Sequence, residues 1–232
     1  ESTSESQMSG KWPGGFINKT APTVVGPVDG EGGTASGIWT LDQAADYESQ
    51  GLWPMPILDK ELYSWGLNSS GQLGLGDITN RSSPVQVGAG IVWANVKGGQ
   101  AHSLGIKTDG TLWSWGKNDY GQLGLGDITN RSSPVQVGAL TTWSKVVGAS
   151  TSVVAVKTDG TLWTWGQNNY GQLGDGTVVD KSSPIQVGAL TTWAQVGGGE
   201  FSSYAIKTDG TLWAWGRNFF GRLGDGSAID KS

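Results

Sequence analysis

His102 is the only imidazole in the 232 residues, and the chain has no cysteine. One histidine cannot build a multi-histidine metal site. Without cysteine there is no thiolate nucleophile, disulfide or thiolate-held metal. A serine–histidine–aspartate arrangement would have to rest on that single residue. The other groups with chemistry to offer recur in sets. Asp127, Asn130, Asp175 and Asp180 have the oxygen-rich character of a calcium loop. No glutamate follows at the spacing of a bidentate ligand, and Asx residues are ordinary turn formers. Asn18, Asn68, Asn80 and Asn130 each begin an Asn-x-Ser/Thr triplet, which a chain this rich in Asn and Ser produces by chance. Tryptophans two apart, such as Trp163 and Trp165, could stack sugar rings. Because they return at fixed positions, they read as core, with Trp65, Trp115, Trp165 and Trp215 as its recurring members. The pairs Asn80–Arg81, Asn130–Arg131, Asp180–Lys181 and Asp230–Lys231 fall in loops and are the candidate exposed contacts. This inventory contains no catalytic constellation. A non-enzymatic protein without cofactor or metal is expected.

The elements that must position these residues are announced by an echo. "GQLGLGDITNRSSPVQVGA" occupies Gly71–Ala89 and recurs unchanged at Gly121–Ala139. The tetrads YSWG (Tyr63–Gly66), WSWG (Trp113–Gly116), WTWG (Trp163–Gly166) and WAWG (Trp213–Gly216) stand 50 apart. Pro84, Pro134 and Pro184 keep the same step, as do Trp93, Trp143 and Trp193. A fixed period of this length marks a repeat architecture. The composition agrees, since 39 glycines and 13 tryptophans suit short strands, tight turns and large apolar side chains.

Each repeat reads as four strands. In the third they are Trp143–Val147, Val153–Lys157, Leu162–Trp165 and Ile185–Val187, the last entered from Pro184. Thr158–Gly160 is a Thr-Asp-Gly hairpin, and the stretch from Gly166 is a compact glycine-rich loop. Strand alternation sets Trp163 and Trp165 on one face, Leu162 and Thr164 on the other. Both faces carry material to bury, so neighbouring sheets must cover each other, as the blades of a β-propeller do. The expected fold class is all-β, a partial propeller of about 3.4 blades over residues 57–232, the last incomplete. Bare end faces on such an array lead to a further expectation: more repeats follow Ser232, or other subunits supply the missing blades, so an oligomer or larger assembly is expected.

Residues 1–35 are rich in Gly, Ser, Thr and Pro and read as an extended arm. Residues 36–56 read as a short capped helix. Thr40 is its N-cap, Gln43 completes a capping box, and Gly51 followed by Pro54 ends it. Ile38, Trp39, Leu41, Leu52 and Trp53 offer more apolar surface than so short a helix can cover, and form a candidate docking segment. The net charge of −5 and the absence of a basic cluster argue against nucleic acid. No apolar run approaches the ~18 residues of a membrane span.

Residues from Val96 to Val137, with a Gly-x-x-His region, the TDG hairpin, aromatic-x-Trp-Gly, Asn, Gly-Gln-Leu-Gly and Pro-x-x-Val in order, resemble the RCC1-type repeat. The resemblance runs from about Leu62 to Ser232 and implies blades of a seven-bladed propeller. It also implies either a regulator of nucleotide exchange on a small GTPase, as in the family's best-known member, or an interaction platform. Ser152 and Ser202 replace the family's frequent histidine, and Arg222 replaces the usual glutamine. Ser36–Pro54 resembles a short element near the N-termini of structural and tail-fibre proteins of marine tailed phages. Together these imply a virion structural protein, virion-borne or extracellular. It would dock to assembly proteins through residues 1–56 and present the blades to a host-surface receptor or glycan. A secreted adhesion or carbohydrate-binding propeller and a GTPase exchange regulator are the alternatives.

Overall fold

The structure, a computed structural model, describes residues 61–232. The readings on residues 1–35 and on the docking segment Ile38, Trp39, Leu41, Leu52 and Trp53 lie outside the described residues.

Among the described residues, thirteen strands form four antiparallel sheets. The first holds β1 (Tyr63–Gly66) and β2 (Arg81–Gln86). The second runs in order through β3 (Trp93–Gly98), β4 (His102–Lys107), β5 (Leu112–Gly116) and β6 (Arg131–Gln136). The third repeats it with β7 (Trp143–Gly148), β8 (Ser152–Lys157), β9 (Leu162–Gly166) and β10 (Lys181–Gln186). The fourth has β11 (Trp193–Gly198), β12 (Ser202–Lys207) and β13 (Leu212–Gly216), and Lys231 bridges to Gly216 where a fourth strand begins. Each sheet is a meander in which sequence neighbours pair, the inner strands joined by short turns and the last two by a long glycine-rich loop.

The hairpin chemistry is that of the TDG triplets. Asp159 Oδ1 accepts from Thr161 N at 3.0 Å and from Thr161 Oγ1 at 2.6 Å, fixing the turn between β8 and β9. Gly160 takes φ +78°, a conformation glycine adopts without a Cβ penalty. The outer strand differs from the sequence expectation. It begins at Lys181, and Pro184 lies inside it rather than at its entry. Proline is tolerated because β10 pairs only with β9 and the register breaks between Lys181 and Ile185.

Strand alternation delivers two faces, and the core is the seam between sheets. Trp143, Val153, Ala155 and Trp165 of the third sheet meet Leu104, Ile106 and Leu112 of the second. Val154, Val156 and Leu162 on the other face of the third meet Trp193, Ala205 and Trp215 of the fourth. An indole face therefore always lies on the aliphatic face of the preceding sheet. This explains the burial of Trp115, Trp165 and Trp215. It also corrects one core assignment: Trp65 is 61% exposed. The cover that Trp115 receives comes from the sheet before it, and the described residues contain no sheet before β1.

The copied segment is the clasp across each seam. Trp165 Nε1 donates to Gln122 O at 3.0 Å, as Trp115 does to Gln72 O at 3.0 Å and Trp215 to Gln172 O at 2.9 Å. A Cβ on Gly124 would stand 2.8 Å from Trp165 Nε1, so the second glycine of Gly-Gln-Leu-Gly leaves room for the next blade's indole. Gly126 N then donates to Ser182 O at 2.8 Å, tying the loop to the next sheet's outer strand.

Candidate interaction surface

The loop between the last two strands of each repeat carries the exposed pairs singled out in the sequence. Its frame is a buried asparagine. Asn118 is fully buried at the end of β5 and faces into the loop. Its Oδ1 accepts from Leu123 N at 2.8 Å, and its Nδ2 donates to Asp127 O at 3.0 Å and Thr129 O at 3.1 Å. Asn68, Asn168 and Asn218 are likewise fully buried at the equivalent positions. A polar side chain this deep is stable because its donors and acceptor are satisfied.

The candidate contacts divide on this frame. Asn130 turns inward, and its Oδ1 accepts from Asn118 N at 2.7 Å; Asn80 and Asp180 do the same for Asn68 N at 2.8 Å and Asn168 N at 2.7 Å. The cationic members pair within their own loops. Arg131 Nη2 lies 2.6 Å from Asp127 Oδ2, and Arg81 Nη2 lies 2.5 Å from Asp77 Oδ2. Lys181 Nζ lies 3.5 Å from Asp175 Oδ2, and Lys231 repeats this with Asp225 at 3.4 Å. The loops thus come in two versions. Where the acid leaves position 127 for Thr177, it reappears two residues earlier at Asp175, and the arginine becomes a lysine.

The carboxylates are engaged with their own chain. A hydrogen bond from Thr129 N, then Arg131, holds Asp127 below the usual carboxylate range. Asp225 is lowered to about 2, chiefly by the backbone and side chain of Ser227. Among the described residues, no three of His, Asp or Glu gather as metal ligands. Asp127 and Asp175 are tied into separate loops.

What the loops present to solvent is an aliphatic knob. Ile78, Ile128 and Val178, 50 residues apart, are 65%, 66% and 63% exposed; in the last loop Ala228 takes that position and the adjacent Ile229 is 70% exposed. The sequence contained the signal, an aliphatic residue inside an otherwise polar, Asx-fixed loop, but it was not singled out. Because the sheets repeat in one orientation, the tips line one side of the array.

His102 opens β4 and is fully buried. Burial pushes its pKa down to about 4, and neither ring nitrogen has a hydrogen-bond partner among the described residues. A Cβ on Gly99 would fall 2.5 Å from its Nδ1, so the ring is packed against the preceding turn.

The model of the Regulator of chromosome condensation (RCC1) repeat matches residues 59–106, 109–156 and 159–206. A second model of the same description matches 93–122 and 193–222. Among solved structures, human WBSCR16 aligns with TM-score 0.68 and 27% identity over 75% of this chain and 47% of its own. Prp20p of Saccharomyces cerevisiae, characterised for binding to Gsp1p and histones, aligns with TM-score 0.63 and 21% identity over 72% of this chain and 43% of its own. The structure of Kap60 bound to yeast RCC1 (Prp20) gives TM-score 0.60 and 19% identity over 75% of this chain and 46% of the matched one. The chain thus spans less than half the length of these structures. The four sheets are RCC1-type propeller blades, and the chain belongs to the RCC1-repeat family.

Proposed function

We propose that this protein is a non-enzymatic virion structural protein that displays RCC1 blades as a contact scaffold. Residues 1–56 would dock it to other assembly proteins. The observation that carries the scaffold reading is the copied rim loop. Its polar groups are committed to holding its shape, while Ile78, Ile128, Val178 and Ile229 stand outside it. An enzyme needs one constellation unlike its surroundings; here the same loop is presented again and again at fixed spacing. The neighbouring fold in Prp20p is itself a protein-binding one, toward Gsp1p and histones. The likeness of Ser36–Pro54 to an element of phage structural proteins supports the virion setting, with the protein on a particle or outside a cell.

The test is purification of particles followed by quantitative mass spectrometry and cross-linking. The reading expects this chain at a fixed copy number, cross-linked through residues 1–56 to another particle protein. Absence from particles, together with capture of a small GTPase and faster nucleotide release from it, would establish the exchange-regulator alternative instead.

A further inference from the structure

In the second, third and fourth blades a lysine lies over indole with no carboxylate of the described residues within 4.0 Å, and of the three Lys157 is the buried one. Lys157, at the end of β8, is 6% exposed. Its Nζ lies 3.4 Å from the centroid of Trp163 and 4.9 Å from that of Trp143. Lys107 and Lys207 repeat the arrangement at 3.5 Å from Trp113 and 4.0 Å from Trp213. Among the described residues, the paired carboxylates within 4.0 Å of a cation serve other side chains. The nearest acid in sequence, Asp159, spends its Oδ1 on Thr161. Burial pushes the Lys157 ammonium below its usual range, against the opposing charge of Asp159. Indole faces offset part of the desolvation of a cation, but an ammonium has three donors and gains more from an oxygen anion.

Lys157 also lines a groove. A cavity of about 350 Å³ lies at the seam between the second and third blades, walled by Leu125, Gln136, Leu140, Trp163 and Pro184 together with Lys157. A cavity with similar walls but without Lys107 in its lining lies one seam earlier, about 370 Å³, with Leu75, Gln86, Ile91, Trp113 and Pro134. Its walls offer an indole and a proline ring, and its polar contributions include a primary amide. Buried cation, flat apolar wall and amide match a pyranose carrying a carboxylate, whose C–H face is apolar and whose edge is polar.

We propose that the groove between the second and third blades binds one acidic sugar, a hexuronate or a sialate. Its carboxylate meets Lys157, its ring lies along Trp163 and Pro184, and Gln136 bonds its hydroxyls. This goes beyond the display role: it stands or falls on the groove, whether or not the protein is found on a particle.

The test is titration of the full chain with glucuronate, N-acetylneuraminate, glucose and a short glutamate peptide, read at the Trp163 indole N–H by NMR. One of the acidic sugars should shift that resonance saturably in the millimolar range, with glucose at least about tenfold weaker. Lys157→Met should weaken the acidic sugar by about tenfold or more, the loss of one charge-assisted contact. Gln136→Ala should weaken it severalfold. If Lys157→Met melts early, Gln136→Ala and the wild-type preference for glucuronate over glucose decide. No saturable shift with either acidic sugar, glucose equal to glucuronate, the glutamate peptide bound as tightly as the sugars, or a well-folded Lys157→Met that binds normally would each overturn the proposal.

Discussion

At the scale of the residue, position in a repeat is not the same as environment. Trp65 and Trp165 are equivalent in sequence, yet one is 61% exposed and the other fully buried. Trp165→Ala should cost about 3–5 kcal/mol, through lost apolar contact and a cavity at the seam. Trp65→Ala should cost under about 1 kcal/mol, as surface changes do. Chemical denaturation of the two variants checks this. Equal losses would mean that the seam does not carry the stability. His102 makes a second prediction. Buried and neutral, it takes up its proton only near pH 4, whereas the unfolded chain takes one near 6.5. Protonation therefore favours the unfolded chain, and stability should fall as pH drops from about 6.5 toward 4. The contribution is of order 3 kcal/mol across that window. The carboxylates held low in the loops lose stability at still lower pH, so the measurement is a difference. His102→Ser, which installs the residue of the next two blades, should flatten the slope between pH 6.5 and 4. An unchanged slope would show that the imidazole is not desolvated.

At the scale of the element, the loops show the same task solved twice. Asp127→Thr alone should cost about 1 kcal/mol, because it removes the cap on Thr129 N as well as the partner of Arg131. Adding Leu125→Asp and Arg131→Lys rebuilds the version found at Asp175 and Lys181, and should recover most of the loss. Thermal melts of the single and triple variants decide whether the two versions are interchangeable. Much of this level was legible in the sequence, because period-two alternation and fixed turn triplets are local signals. The faces of Leu162–Trp165 and the Thr158–Gly160 hairpin needed only neighbouring residues to be read. Pro184 was misplaced because an edge strand with a register break tolerates what a central strand forbids. Asn118 was seen only as part of a motif, since an asparagine in a glycine-rich stretch looks like a surface turn until the loop closes over it. The ion pairs escaped for a similar reason: Asn130–Arg131 reads as an exposed pair unless the loop path that brings Asp127 to Arg131 is known.

At the scale of the whole molecule, stability is shared between neighbours. The third blade is covered on both sides by described blades, whereas Leu212 and Trp213 are 66% and 51% exposed on the fourth. Tyr63 and Leu67 are also exposed, at 45% and 63%, on the first. Apolar surface of this kind favours association, so the full chain should show concentration-dependent assembly by light scattering, strengthened by sulfate. A strictly monomeric solution at high concentration would show that these faces are covered. The central claim is that the copied segment exists to lock each blade to the next, through the Trp–Gln clasp. Hydrogen exchange at the indole Nε1 protons measures that clasp directly. The protons of Trp115, Trp165 and Trp215 should be protected, with Trp165 slowest and matching the amides of β8, while that of Trp65 exchanges freely. Rapid exchange at Trp165 while the β8 amides stay protected would contradict the account.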